Sequence, residues 1–232
     1  MKSIESIYNS ILLETQNPNN IDLNLLKKCV DGTYTINDDG SIDVNGDVNL
    51  NNKKLAKIPF KFRNVSGSFC CNDNRLTSLE GSPNTVGGYF YCYNNQLTSL
   101  EGAPNTVGGN FCCNDNQLTS LEGSPNTVGG GFYCFINQLT SLEGAPNTVG
   151  GNFCCNDNQL TSLEGAPSSV GGEFYCFNNS NLPYSELFKI VDNVKGDIYY
   201  SSDITPEDKD KIRRDRDVKT VLKDDELGNL DV

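Results

Sequence analysis

Six phenylalanines recur at a fixed interval of 21 residues: Phe69, Phe90, Phe111, Phe132, Phe153 and Phe174. The text between them barely changes. Leu118-Thr119-Ser120-Leu121-Glu122-Gly123-Ser124-Pro125-Asn126-Thr127-Val128-Gly129-Gly130 is typical of it. A period of this length marks a solenoid, in which a unit too small to bury its own apolar face buries it against its neighbours. Function in such an array resides on a surface.

Within one unit, Phe111-Cys112-Cys113-Asn114 reads as a strand, and alternate side chains on a strand face opposite ways. Phe111 and Cys113 therefore point into the coil, while Cys112 and Asn114 point out onto the sheet face. Leu118, Leu121 and Val128 complete the core. Asn116 belongs to a column with Asn74, Asn95, Asn137, Asn158 and Asn179. A buried amide column can hydrogen-bond the backbone of adjacent turns where the chain leaves the strand. Pro125 and Gly129-Gly130 turn the chain back toward the next strand. No helical period appears between strands, so the convex side is expected to be irregular or 3₁₀-like.

The stretch Phe111 to Leu121 resembles the leucine-rich repeat, L-x-x-L-x-L-x-x-N-x-L. Phe111 takes the second Leu place, Cys113 the third, Asn116 the Asn and Leu118 the last Leu. Val107 stands one residue too early for the first Leu, because Gly108-Gly109-Asn110 fills a two-residue gap. The Asn-Gln-Leu-Thr-Ser-Leu wording is similar to the short repeats of bacterial effectors and tailed-phage proteins. The resemblance implies a leucine-rich-repeat solenoid, mainly β, with a parallel sheet of about eight strands and 21-residue coils. It also implies a phage or bacterial factor acting on a host protein.

Low hydrophobic content, 36%, and 22 glycines fit a thin core with many turns. A formal net charge of −12 disfavours direct binding to nucleic acid or to an anionic membrane. The ten cysteines invite a disulfide reading, and their spacing argues against it. Cys71, Cys92, Cys113, Cys134, Cys155 and Cys176 form one inward file, where stacked side chains run side by side in poor geometry for a bridge. Cys70, Cys112 and Cys154 fall on every second coil, roughly 10 Å apart, too far for a bridge or a shared zinc. Reduced thiols point to the cytoplasm, and an N-terminus without a long apolar run is expected to carry neither a signal peptide nor a membrane span.

Residues 1–47 are expected to form an N-terminal cap, 48–182 the solenoid and 183–232 a short α/β C-terminal cap. In the first, residues 3–16 read as an amphipathic helix. Residues 22–30 read as a second helix, with Leu25, Leu26, Cys29 and Val30 inward and Asp31-Gly32 as its stop. Tyr34, Ile36, Ile42 and Val44 alternate around Asp38-Asp39-Gly40, a hairpin pattern. A degenerate coil follows at 48–68, with Lys53 where asparagine is expected. Beyond Asn179 the spacing predicts a helix over 185–192, a last strand at Ile198 and Tyr200, and a charged helix opened by Thr205-Pro206-Glu207. That helix is expected to be solvated and weakly packed, and the end from Asp224 to Val232 frayed.

A second period of 42 overlies the first. Outward columns alternate small and large, so Tyr91, Tyr93, Tyr133, Phe135, Tyr175 and Phe177 form an aromatic stripe on the sheet face, with Ile136 beside it. Exposed aromatics are enriched at recognition hot spots. The competing reading is that each ring only covers the Cys and Asn of the coils next to it. The repeated glutamates Glu80, Glu101, Glu122, Glu143 and Glu164 read either as a solvated acidic edge or as a cation ladder, with Asp73, Asp115 and Asp157 on alternate coils. The chain has no histidine, and its glycine pairs lie in turns, so no enzyme, cofactor or metal is expected. The function read from the residues is non-catalytic binding of a protein partner through the stripe. The alternative is an acidic decoy that imitates nucleic acid at a basic host site.

Overall fold

The structure, a computed structural model, describes residues 21–201 and 206–228, with side chains as far as Thr220. The helix expected at 3–16 lies outside the described residues. The first element is helix α1, Leu23–Cys29, capped by Asp22, whose carboxylate accepts from the backbone N–H groups of Asn24 and Leu25 at 3.0 Å. Leu26 and Cys29 are buried as expected, but Leu25 and Val30 are only half-buried. Val30 does not end the helix inward. Its β-branched side chain enters strand β1, Val30–Ile36, which also absorbs the expected stop at Asp31-Gly32.

β1 pairs antiparallel with β2, Ile42–Asn49, placing Ile36 opposite Ile42 and Tyr34 opposite Val44, the expected hairpin. β2 then seeds the whole solenoid. Val44 pairs in parallel with Val65, and Val48 with Phe69. Two parallel ladders run on from these two points. One stacks the two-residue strands that begin at Phe69, Phe90, Phe111, Phe132, Phe153 and Phe174, and it closes on Ile198–Tyr199. With β2 this ladder has the eight strands expected. The other stacks the Thr-Val pairs from Thr85–Val86 to Ser169–Val170.

Val is buried as expected, but the Thr-Val pairs also form a second ladder where only a turn at the glycine pair was expected. Val107 and Phe111 lie four residues apart, so both face inward, and the coils stay hydrogen-bonded between them. Gly109 N–H donates to Gly88 O at 2.8 Å and Gly130 N–H to Gly109 O at 2.9 Å. The glycine pair is therefore a bend within a continuous ladder. A Cβ on Gly108 would stand 2.2 Å from the Gly87 carbonyl oxygen, so the coils approach too closely there for any side chain. From Asn114 to Asn126 the chain is turns and bends, the irregular side that was expected.

The core follows the inward assignments. The six phenylalanines are fully buried and stack ring on ring at 5.1 to 5.6 Å between centroids. Beside them run the buried files of Cys, Leu and Val. The asparagine column binds coil to coil. Asn137 Nδ2 donates to Cys113 O of the preceding coil at 3.1 Å and to Cys134 O of its own at 3.0 Å. Its Oδ1 accepts from the backbone N–H of Leu118, in the preceding coil, at 3.0 Å. Asn95, Asn116, Asn158 and Asn179 repeat the pattern. Lys53, at the asparagine place of the first coil, is exposed. Its backbone N–H donates to Asn74 Oδ1 at 3.0 Å.

The C-terminal end is covered by substitution. Leu121 N–H donates to Glu143 O, and Leu142 N–H to Glu164 O, each in the following coil. At Leu163 no repeat follows, and the Glu186 carboxylate accepts that N–H at 2.8 Å. Glu186 lies on a 3₁₀ helix, Tyr184–Lys189, where a helix over 185–192 was expected, and Leu187, Ile190 and Val191 are buried beneath it. The charged helix α2 is Lys209–Gly228. Thr205 lies outside the described residues. Asp208 is the residue that accepts from the first free N–H groups, those of Asp210 and Lys211, at 3.0 and 3.1 Å.

α2 is solvated along most of its described length, as expected, but its first turns are anchored to the last coil. Ile212 is fully buried, Arg213 and Arg216 both reach Asp192, and Lys209 Nζ donates to the Val194 and Gly196 carbonyls. An open solenoid end exposes core and unpaired backbone, and these residues satisfy both. The helix continues to Gly228, through the start of the segment expected to fray.

The asparagine ladder generates a stability prediction. Asn137→Ala leaves the buried Leu118 N–H without an acceptor and takes one of two side-chain donors from each of the Cys113 and Cys134 carbonyls. It should cost roughly 3 kcal/mol, whereas Gln138→Ala on the exposed neighbour should stay within about 0.5 kcal/mol. Denaturant melts of the two variants measure the difference, and equal melts would mean that the column is not what ties the coils.

Candidate interaction surface

Because Phe132 and Cys134 are inward, Tyr133 and Phe135 must be outward, and the same parity holds in every coil. Tyr91, Tyr93, Tyr133, Phe135, Tyr175 and Phe177 all lie on the outer side of the Phe ladder, half-buried, and Ile136 is 48% exposed. They form three groups. Tyr91 and Tyr93 meet at 6.0 Å, and Tyr175 and Phe177 at 6.4 Å. Tyr133, Phe135 and Ile136 make the central group.

Two ring residues were missed by sequence reasoning. Tyr89 stacks on Tyr91 at 5.5 Å, and Tyr199 stacks on Tyr175 at 4.5 Å. Both had a signal. Tyr89 shares the outward parity of Tyr91 and Tyr93, and Tyr199 follows Ile198 as Tyr91 follows Phe90.

The residue two places before each tyrosine sets its pose. In the first group it is Tyr89, which stacks. In the central group it is Gly131, where a Cβ would stand 2.7 Å from the Tyr133 ring, so the ring leans back over bare backbone. In the third it is Glu173.

The outward thiols lie between the rings. Cys70 and Cys112 are half-buried and Cys154 is buried. Burial pushes the Cys112 and Cys154 thiols up to about 12. Burial also raises Tyr91, Tyr133 and Tyr175 above the ordinary phenol value, with the neighbouring thiols as lesser contributors. The rings do cover the small residues beside them, and they keep part of their surface in solvent. All ten cysteines are free.

Next to the rings runs a polar ladder that includes one anomaly. At Asp73, Asn94, Asp115, Ile136, Asp157 and Asn178 the backbone is left-handed, with φ between 51° and 56°. Asp and Asn tolerate that region, while a β-branched side chain is strained there. The Asp and Asn also pair between coils. Asn94 Nδ2 donates to Asp73 Oδ1 at 2.7 Å, and Asn178 Nδ2 to Asp157 Oδ1 at 2.8 Å. Ile136 occupies the place from which Asp115 would receive the equivalent bond. Among the described residues Asp115 keeps only the side-chain bond from Asn114, at 2.6 Å.

The remaining candidates are simpler. Glu80, Glu101, Glu122, Glu143 and Glu164 are all exposed. Among the described residues no three metal-ligating side chains converge, and no helix is long and apolar enough to cross a membrane. A shallow groove of about 550 Å³ lies over the Thr-Val ladder near β1, lined by Thr33, Thr35, Asn45, Thr85 and Thr106.

Two predictions arise from this geometry. Ile136→Asn removes the left-handed strain and restores a donor to Asp115, and it should stabilise the protein by about 1–2 kcal/mol. A melting temperature below that of the parent would show that Ile136 is held by packing. The buried thiols hold their protons when folded, while in the unfolded chain they ionise near about pH 8.5. Stability is therefore full below that pH and declines as pH rises toward about 12, because the unfolded state loses protons first. In native protein at pH 8, Ellman's reagent should react on the order of a hundredfold more slowly than in denaturant, where all ten thiols titrate.

Compared with protein-family models, with curated proteins and with solved structures, the chain matches none.

Proposed function

We propose that the chain is a non-catalytic scaffold that binds a protein partner through the aromatic outer face. The observation that carries this reading is Ile136. It is the one β-branched residue in a left-handed column of Asp and Asn, it is 48% exposed, and it interrupts a ladder of side-chain bonds. An exposed β-branched residue in a backbone region that disfavours it is expected where a surface is used. It lies beside Tyr133 and Phe135, at the middle of the face. Half-buried rings on a rigid sheet are already ordered, so they lose little side-chain freedom when a partner covers them.

The leucine-rich-repeat resemblance supports a binding scaffold over an enzyme. It extends to a phage or bacterial factor acting on a host protein in the cytoplasm. The acidic-decoy reading has an observation of its own, the exposed file of five glutamates.

One experiment separates the two. Tyr133→Ala with Phe135→Ala is compared with Glu122→Gln with Glu143→Gln, each verified by circular dichroism, for binding to the protein captured by the parent from cell lysate. The aromatic pair should lose at least tenfold in affinity and the glutamate pair little. Salt should weaken the parent complex only modestly. If the glutamate pair loses more, and affinity collapses with salt, the decoy reading replaces this one.

A further inference from the structure

The broken rung of the Asp–Asn ladder narrows the chemistry of that partner. This inference rests on the aromatic face being the binding surface. The carboxylates of Asp73 and Asp157 are each filled on both oxygens, by Asn72 with Asn94 and by Asn156 with Asn178. Asp115 receives Asn114 on Oδ2, and its Oδ1, the atom that in Asp73 and Asp157 takes an asparagine at the place held here by Ile136, has no protein donor among the described residues. The carboxylate is half-buried, with Phe135 and the exposed Ile136 beside it.

The surrounding charge has one sign. Residues 76–188 contain nine carboxylates and no lysine or arginine, and among the described residues no ion pair reaches Asp115. We infer that Asp115, Phe135 and Ile136 form the anchoring pocket of the face, and that it takes an arginine side chain of a protein partner, flanked there by an apolar residue. A guanidinium gives the vacant Oδ1 a charge-assisted hydrogen bond and can lie flat on an aromatic ring. The apolar neighbour covers Ile136. The negative field of the central coils draws such a segment in and turns an acidic one away.

The test uses the full chain, labelled with ¹⁵N, and two probes, acetyl-Leu-Arg-Leu-amide and acetyl-Leu-Gln-Leu-amide. The arginine peptide should shift the amide signals of Asp115, Phe135 and Ile136, leave those of Asp73 and Asp157 in place, and bind at least fivefold more tightly than the glutamine peptide. Ile136→Asn, which supplies the missing donor and stays folded, should abolish the response. Asp115→Asn should weaken it at least fivefold. Equal responses to the two peptides, a response that survives Ile136→Asn, or no response at Asp115 and Ile136 would each overturn the inference. The partner-binding loss of the Tyr133 and Phe135 variants is measured separately. If that loss is seen while the arginine peptide is ignored, the face stands and the arginine pocket falls. If neither is seen, the face falls as well.

Discussion

Each column asparagine holds two coils together through a single amide, and the rest of the molecule depends on that link. Where the chain leaves the Phe strand it can no longer follow the ladder, and its carbonyls and the next leucine N–H lose their regular partners. The amide of Asn137 replaces them from both sides, donating to Cys113 O and Cys134 O and accepting from Leu118. This allows a sharp departure from the strand without orphaned backbone inside the core. The stacked phenylalanines then fill the space that the amide column defines.

A structure built by neighbour contacts has a problem at each end, and the two ends solve it differently. At the start, β2 is long enough to serve as the first rung of both ladders, and β1 covers its open edge. At the finish, side chains stand in for a missing coil. Glu186 takes the place of a backbone carbonyl, and Lys209 takes the place of backbone donors. The charged helix is thus a lid over the last coil, with its own Ile212 buried beneath it and its arginines held by Asp192.

The outer face shows how near-identical repeats give different surfaces. Tyr91, Tyr133 and Tyr175 occupy one column, but Tyr89, Gly131 and Glu173 before them give one a stacking partner, one bare backbone and one a carboxylate. The Asp–Asn ladder beside them is regular in its first and last pairs and broken in the middle one. The central coils are therefore distinguished by what they lack: a side chain at Gly131, an amide at Ile136 and, as throughout residues 76–188, any lysine or arginine. All three omissions leave room or charge for something outside the chain.

Most of the fold was legible in the sequence, because a 21-residue period with strand parity assigns the columns of Phe111, Cys113, Leu118, Leu121 and Val128 to the inside before any contact is known. The asparagine column and the hairpin around Asp38-Asp39-Gly40 were legible for the same local reasons. The Thr-Val ladder was not. Its pairing depends on the glycine bend keeping two short strands in register at once, a condition set between coils and invisible within one. The packing of the charged helix was hidden too, since its partners Asp192, Val194 and Gly196 meet it only in space. On the face, sequence parity alone placed the aromatic stripe outward, and Ile136 was read only as its neighbour, since strand parity would turn residue 136 inward. That Ile136 sits at φ 53°, and that it deprives Asp115 of the bond given to Asp73 and Asp157, was decided by tertiary structure, because backbone sign and coil-to-coil hydrogen bonds exist only once neighbouring turns are stacked.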